Sequence, residues 1–272
     1  MTLSIETIKN RVSVRTFDGN PVPESVLDEI RKYIGDVENP FQVPLEFQIL
    51  DAKKYGLSSP VIIGADTYIA GKYKKGIHAE LAYGYAFEKV ILYAVSLGLG
   101  TVWLAATMDR KAFEKAIELN EDEVMPAVSP VGYAAEKRSV REVLMRKGLK
   151  SDDRAAFETL FFNGDFQHPL KEEKAGHWLT PLKMLRISPS ATNKQPWRVV
   201  TEENKVHFYE QKTKGYAKES TGDIQKVDLG IAICHFEIAA KEAGLKGWIT
   251  QNDTGLAVPD STEYIATYEL ED

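Results

Sequence analysis

The hydrophobic and polar positions of this chain change period several times along its length. Ser4 ahead of Glu6, Thr7 and Ile8 predicts a short first helix, which stops where Arg11-Val12-Ser13-Val14-Arg15-Thr16-Phe17 begins to alternate. After Pro21 and Pro23, the apolar positions Val26, Leu27, Ile30 and Ile34 return at helical spacing behind the acidic first-turn residue Glu24. Short β-rich runs at Phe47–Leu50 and Val61–Ile63 predict strands. A long helix is predicted from Ala79 to Leu97, then a turn at Gly98-Leu99-Gly100 and a strand over Thr101–Leu104. A helix over Arg110–Leu119 and a strand over Ala127–Tyr133 follow, ending in the basic residues Lys137, Arg138 and Arg141. Strands interspersed with helices in this way predict a mixed α/β protein.

Val90 to Met108 contains nineteen uncharged residues, long enough for a membrane span. A buried helix, a turn and a buried strand fit better, because Gly98 and Gly100 break the run and a charged copy of the same segment occurs later. At an offset of 146, Gly84, Ala86, Leu92, Ala94, Gly98 and Leu99 meet Gly230, Ala232, Ile238, Ala240, Gly244 and Leu245. That copy carries His235, Glu237, Lys241, Glu242 and Lys246, so it is no membrane segment. At an offset of 150, Phe47-Gln48-Ile49 meets Trp197-Arg198-Val199. The colinear matches predict an internal duplication, with halves at residues 1–150 and 151–272.

With 272 residues and roughly 150 per domain, both one large domain and two coupled halves are possible, and the repeat favours the halves. Lys and Arg number 34 against 40 Asp and Glu, a formal charge of −6, which argues against a nucleic-acid partner. Lys137 to Lys150 holds six basic residues, yet it lacks the interleaved aromatics of an RNA surface. The one cysteine, Cys234, excludes an internal disulfide and fits a cytoplasmic setting; the segment from Met1 to Arg15 has no apolar stretch of signal-peptide length. The histidines at 78, 168, 177, 207 and 235 have no metal-ligand spacing, so no metal is expected. His235, on an apolar helix beside Cys234, reads as a core or helix-surface histidine.

Two polar clusters remain. Arg11, Ser13 and Arg15 place two guanidinium groups and a hydroxyl at alternate positions, a donor set that suits an anion such as phosphate; a solvated surface strand is the ordinary alternative. In Ser188-Pro189-Ser190-Ala191-Thr192-Asn193-Lys194-Gln195-Pro196-Trp197, prolines stiffen a loop whose two amides could serve a polar heterocycle, or simply cap a buried Trp.

These clusters, with Pro21-x-Pro23-Glu24, Gly98-Leu99-Gly100-Thr101-x-Trp103 and Gly132-Tyr133, resemble the motifs of the FMN-dependent nitroreductase family, and within it the TM-type nitroreductase group. The resemblance covers most of the chain and departs in one respect. Ordinary members carry the Pro-Ser-x-x-Asn motif a few dozen residues after Arg-x-Ser-x-Arg, whereas here it lies about 180 residues later and Glu38-Asn39-Pro40-Phe41 stands in its earlier place. Ordinary members are homodimers whose two FMN sites each combine segments of both subunits. The resemblance therefore implies a fused pseudo-dimer of nitroreductase-like α/β fold, each half a sheet flanked by helices, acting as a monomer with an internal pseudo-two-fold and one complete site. Residues 151–180, with Phe161, Phe162 and Trp178, would connect the halves, and Asp165, Glu172 and Glu173 precede the second motif where a second phosphate site would need arginines.

Carried over by residue, the resemblance puts Arg11 and Ser13 at the FMN phosphate and ribityl chain, Arg15 at the N1 and O2 edge, and Gly98, Leu99, Gly100 and Thr101 towards the N5 and O4 edge. Pro189, Ser190, Asn193 and Gln195 would contact the cofactor from the other half, and Lys137 and Arg138 would complete the phosphate site. No side chain need be catalytic, because the flavin carries the chemistry. The implied function is electron transfer from NADH or NADPH to a small aromatic, nitro or quinone-like acceptor, with no membrane partner. The alternative is a flavin-binding protein without turnover, a redox sensor or flavin store.

Overall fold

The structure, a computed structural model, describes residues 3–271. Helix α1 (Ile5–Asn10) starts where the Ser4 side chain accepts a hydrogen bond from the Thr7 amide, and α2 (Glu24–Asp36) starts behind Pro23. Then come β1 (Leu45–Asp51), α3 (Ala52–Tyr55), β2 (Thr67–Lys74), α4 (Ala79–Ser96), β3 (Gly100–Thr101), α5 (Arg110–Ala116), β4 (Glu123–Val124) and β5 (Val128–Gly132). Helices α6 (Val140–Gly148) and α7 (Phe157–Leu160), strand β6 (Phe161–Asn163) and helix α8 (Leu179–Arg186) lead to β7 (Trp197–Thr201) and β8 (Lys205–Gln211). The chain ends with β9 (Ala217–Lys218), β10 (Gly222–Asp223), α9 (Ile224–Glu242), β11 (Gly247–Thr250) and β12 (Thr262–Leu270).

The duplication is visible in the sheets. One sheet has the order β1-β2-β5-β3, every pair antiparallel, and the other contains β7-β8-β12-β11, also antiparallel throughout. In each, the long helix (α4 or α9) lies between the second and third strands in chain order. The two helices pack face to face and are apolar nearly all round, which is the pattern of a helix buried on every side. Their crossing is built on the repeated glycines: a Cβ on Gly84 would lie 2.0 Å from Val227 O, and one on Gly230 would lie 2.2 Å from Leu81 O. Among the described residues, no helix is long and apolar enough to cross a membrane. The uncharged run from Val90 is buried protein core.

The cores are shared between the halves. Ile8, Phe41, Leu81 and Tyr85 join the apolar cluster beneath the second sheet, and Ile224, Val227 and Ile231 join the one beneath the first. Residues 151–180 do more than connect, because β6 pairs in parallel with β7 and extends the second sheet.

Three sequence expectations shift. Val61–Ile63 forms no strand: Ile63 makes an isolated bridge to Thr16, and the strand lies at Thr67–Lys74. There the alternation is masked by Lys72, buried but paired with Glu46 and Glu123, and by Gly71, whose missing Cβ makes room for the Phe47 ring. The strand predicted over Thr101–Leu104 stops at Thr101; Val102 N–H donates to Ser129 Oγ of β5, and the backbone bridges the sheet again where Leu104 meets Val128. The basic stretch after Tyr133 runs into α6, whose start is capped by Ser139 accepting from the Glu142 amide.

Candidate active site

The strap after α1 is fixed to the first sheet through Val14 N–H to Thr101 O at 2.9 Å, and to the segment ahead of β2 through Phe17 N–H to Ile63 O at 2.8 Å. Alternation then turns Arg11, Ser13 and Arg15 together into one cavity, of about 290 Å³. Arg15 is steadied from α6: the buried Glu142 accepts from the Thr16 hydroxyl at 2.8 Å and from the Arg15 amide at 3.3 Å. Arg11 is steadied from α4, where Glu88 lies 3.6 Å from its Nε. Glu88 also accepts from Trp103 Nε1 at 2.7 Å and faces His235 Nε2 at 2.8 Å, so that a fully buried carboxyl group and its partners join the two central helices. His235 is thus a core histidine held between Glu88 and Met184 O.

The facing wall is the loop after Ser188. Ala191 N–H donates to Asp228 on α9, Gln195 N–H donates to Ser190 Oγ, and Asn193 Nδ2 donates to Lys150 O and Asp153 O. Gln195 Oε1 accepts from the Ala155 amide. These bonds hold Thr192, Asn193 and Gln195 at φ of 49°, 57° and 50°, left-handed conformations that cost a non-glycine residue energy and persist only when over-determined. The remaining wall is Val102–Thr107 from the first half, Met145 and Leu149 of α6, and Ile224, Val227, Asp228 and Ile231 of α9. Arg110 braces the first of these by donating to Ala105 O at 2.7 Å and Met125 O at 2.6 Å.

The electrostatics are those of a site built for an anion. Arg11 is 9 % exposed and Arg15 8 %, yet Nε and Nη1 of both lack a hydrogen-bond acceptor, as does Arg154 Nε beside them. Burial lowers the pKa of all three; Arg146 lowers each further, while Glu88 supports Arg11 and Glu142 supports Arg15. Buried guanidinium donors without acceptors call for an anionic ligand with several oxygens, and a phosphate monoester meets that description. The apolar faces of Val102, Trp103, Leu104, Ile224 and Val227 leave space for a flat ring. These residues fit a flavin mononucleotide.

Of the residues singled out in the sequence, Arg11, Ser13, Arg15, Pro189, Ser190 and Asn193 line this one cavity. Gln195 stands behind the loop as a brace. Gly98 and Leu99 terminate α4, Gly98 with φ of 83° and open space around it, and Gly100 is packed against Val14; the cavity wall begins beyond Thr101, at Val102. Lys137 and Arg138 lie outside the wall, Arg138 exposed and paired with Glu142. Arg154 does line the wall, and Arg146 near it donates to Ser13 O. Among the described residues, no group of three or more His, Cys, Asp or Glu could hold a metal ion.

The sequence profile of the family described as "Putative TM nitroreductase" matches residues 4–240. No curated protein matches the sequence. Among solved structures, one described as a putative nitroreductase of Thermotoga maritima superposes with a TM-score of 0.66 at 22 % identity, covering 99 % of this chain and 94 % of that one. An FMN-dependent nitroreductase of Clostridium difficile, at 19 % identity and a TM-score of 0.43, covers 50 % of this chain and 90 % of its own. A putative NADH dehydrogenase/NAD(P)H nitroreductase of Parabacteroides distasonis, at 25 % and 0.42, covers 50 % and 89 %.

Proposed function

From the premise that this chain belongs to the TM nitroreductase family, we propose that it is an FMN-dependent oxidoreductase carrying electrons from NADH or NADPH to a small nitroaromatic or quinone-like acceptor. The observation that supports this reading is the set of buried guanidinium nitrogens without hydrogen-bond acceptors, Nε and Nη1 of Arg11 and Arg15 and Nε of Arg154, around a cavity with apolar residues in its wall. Arg11 and Arg154, with Arg146 behind them, would hold the phosphate, and Ser13, Ser190 and Asn193 the polar chain. Arg15 would oppose the negative charge that reduction leaves on the ring. When bound, the flavin supplies two-electron chemistry between nicotinamide and acceptor. The protein's own part is to bind it, to exclude water with Ile224, Val227 and Trp103, and to set its charge environment. The halves, residues 1–150 and 151–272, act as one unit and need no second chain. The buried free thiol of Cys234 suits a reducing compartment.

The test is the chromophore. Purified protein should be yellow, mass analysis of the denatured supernatant should return FMN, and the holoprotein should oxidise NADH or NADPH when a quinone is added. FAD, or no flavin after reconstitution, overturns the cofactor assignment; bound FMN with no turnover on any acceptor leaves a flavin-binding protein.

A further inference from the structure

One acid in the cavity wall takes no part in holding an anion. Asp228, in the first turns of α9, is 3 % exposed and lies beside Ile224, Val227 and Ile231. Its carboxyl receives a single N–H, that of Ala191, shared between Oδ1 and Oδ2 at 3.0 Å each. Among the described residues, no basic side chain forms an ion pair with it. The charges that act on it are both negative: Asp223, which caps the same helix, and Glu210 on β8. A buried carboxylate keeps its charge only with a cation or several donors. Burial first, and then the two acids, outweigh the Ala191 hydrogen bond and push the Asp228 carboxyl well above the usual aspartate range.

Glu210 is a second acid of this kind. It is 1 % exposed and neither of its carboxyl oxygens has a hydrogen-bond partner. Burial, followed by Asp223, raises it to about 7, against the opposing pull of Lys226 and Lys212; Glu263 of β12 adds a further negative charge. Lys212 and Lys226 are themselves paired with Glu263 nearer the surface.

We propose that Asp228 is the proton donor of this pocket, giving a bound quinone or nitro acceptor the proton that must accompany each hydride. The proposal rests on the flavin reading above. With a quinone, a reduced flavin held by Arg11, Arg15 and Arg154 would supply the electron pair as hydride and would be oxidised as the quinone is reduced. The O–H bond of Asp228 breaks, an O–H bond forms on the acceptor oxygen, and Asp228 is left as carboxylate. A proton from water entering the cavity returns it to the acid.

The experiment compares wild type with Asp228→Asn, which keeps an oxygen for Ala191. In FMN holoprotein, turnover of a benzoquinone is measured against turnover of ferricyanide, which accepts one electron and forms no bond to hydrogen. The quinone-to-ferricyanide ratio should fall on the order of 100-fold in the variant, the scale of general acid catalysis. An equal fall with both acceptors overturns the proposal. Two further readouts use protein without flavin. Infrared difference spectra at neutral pH should show a protonated carboxylic-acid carbonyl band in wild type that Asp228→Asn lacks; a carboxylate band instead overturns the proposal. In thermal unfolding, a carboxyl raised in the folded state loses its stabilising contribution as pH climbs from 3.8. Wild type should therefore weaken relative to Asp228→Asn towards neutral pH, whereas a charged, merely structural acceptor for Ala191 would strengthen. If the chain reduces neither acceptor, the proposed function fails, and the infrared and unfolding arms still decide whether Asp228 holds a proton.

Discussion

Arg15 carries a positive charge into the protein interior and leaves two guanidinium nitrogens there without acceptors. An unpaired buried charge burdens the ligand-free fold and helps only when its counter-charge arrives. Arg15→Met, which keeps volume and removes charge, should leave the thermal midpoint of flavin-free protein unchanged or raise it. In holoprotein the same change should lower the flavin midpoint potential by about 30–60 mV, since a hydrogen bond to a charged group is worth ~1.5–3 kcal/mol and 30 mV of a two-electron couple is ~1.4 kcal/mol. Spectroelectrochemical titration checks it; an unchanged potential with weaker FMN binding would move Arg15 to the phosphate. At this scale Arg11, Ser13, Arg15, Ser190 and Asn193 are legible in the sequence because their motifs are local. Arg154 is not, since Asp152 and Asp153 beside it give the look of a solvated charge run. Asp228 left a signal that periodicity could have caught: it interrupts the apolar face formed by Ile224, Val227 and Ile231.

Helices α4 and α9 meet through two glycines, and each approach is to backbone, which cannot rotate aside. Gly84→Ala and Gly230→Ala should each destabilise by ~1–3 kcal/mol or more, as overpacking does, read as a drop in the denaturant midpoint. Both Cβ atoms would press on the same crossing. The double variant should therefore cost less than the two single variants together, because the first already parts the helices. The repeat of these glycines is readable without coordinates, whereas α6 was obscured by its own charges. Ser139-x-x-Glu142 has the spacing of a helix-start capping box, yet the basic residues around it look like a solvated stretch, and burial of Glu142 against Thr16 and Arg15 depends on tertiary contact. Strand β2 was hidden in the same way, by a lysine whose two carboxylate partners come from β1 and β4.

The whole molecule has a repeated plan with unequal contents. At the offset of 146, Val227, Asp228 and Ile231 of the cavity correspond to Leu81, Ala82 and Tyr85, all packed in the apolar core with Phe41. Leu81, Ala82 and Tyr85 offer no counterpart to the Asp228 wall, so flavin-to-protein stoichiometry should be one per chain on the function proposed above. Arg11→Ala and Asn193→Ala should each lower occupancy, and mixing the two variants should restore nothing; recovery on mixing would mean a site shared between chains.

Helix α1 has a different consequence, one of timing. Ile8 is buried among residues that include Leu229 and Ile233, and the Ile5 amide donates to Glu242, 237 positions away. At translation speeds of about 5–20 residues per second, the α9 part of the surface that receives α1 is made on the order of ten seconds or more after α1 itself. The strap bearing Arg11 and Arg15 follows α1 directly, but the wall that faces it, from Pro189 to Asn193 and on α9, is made only with the second half. The cavity is therefore closed only after α9 is made, and on the function proposed above flavin would load after that point.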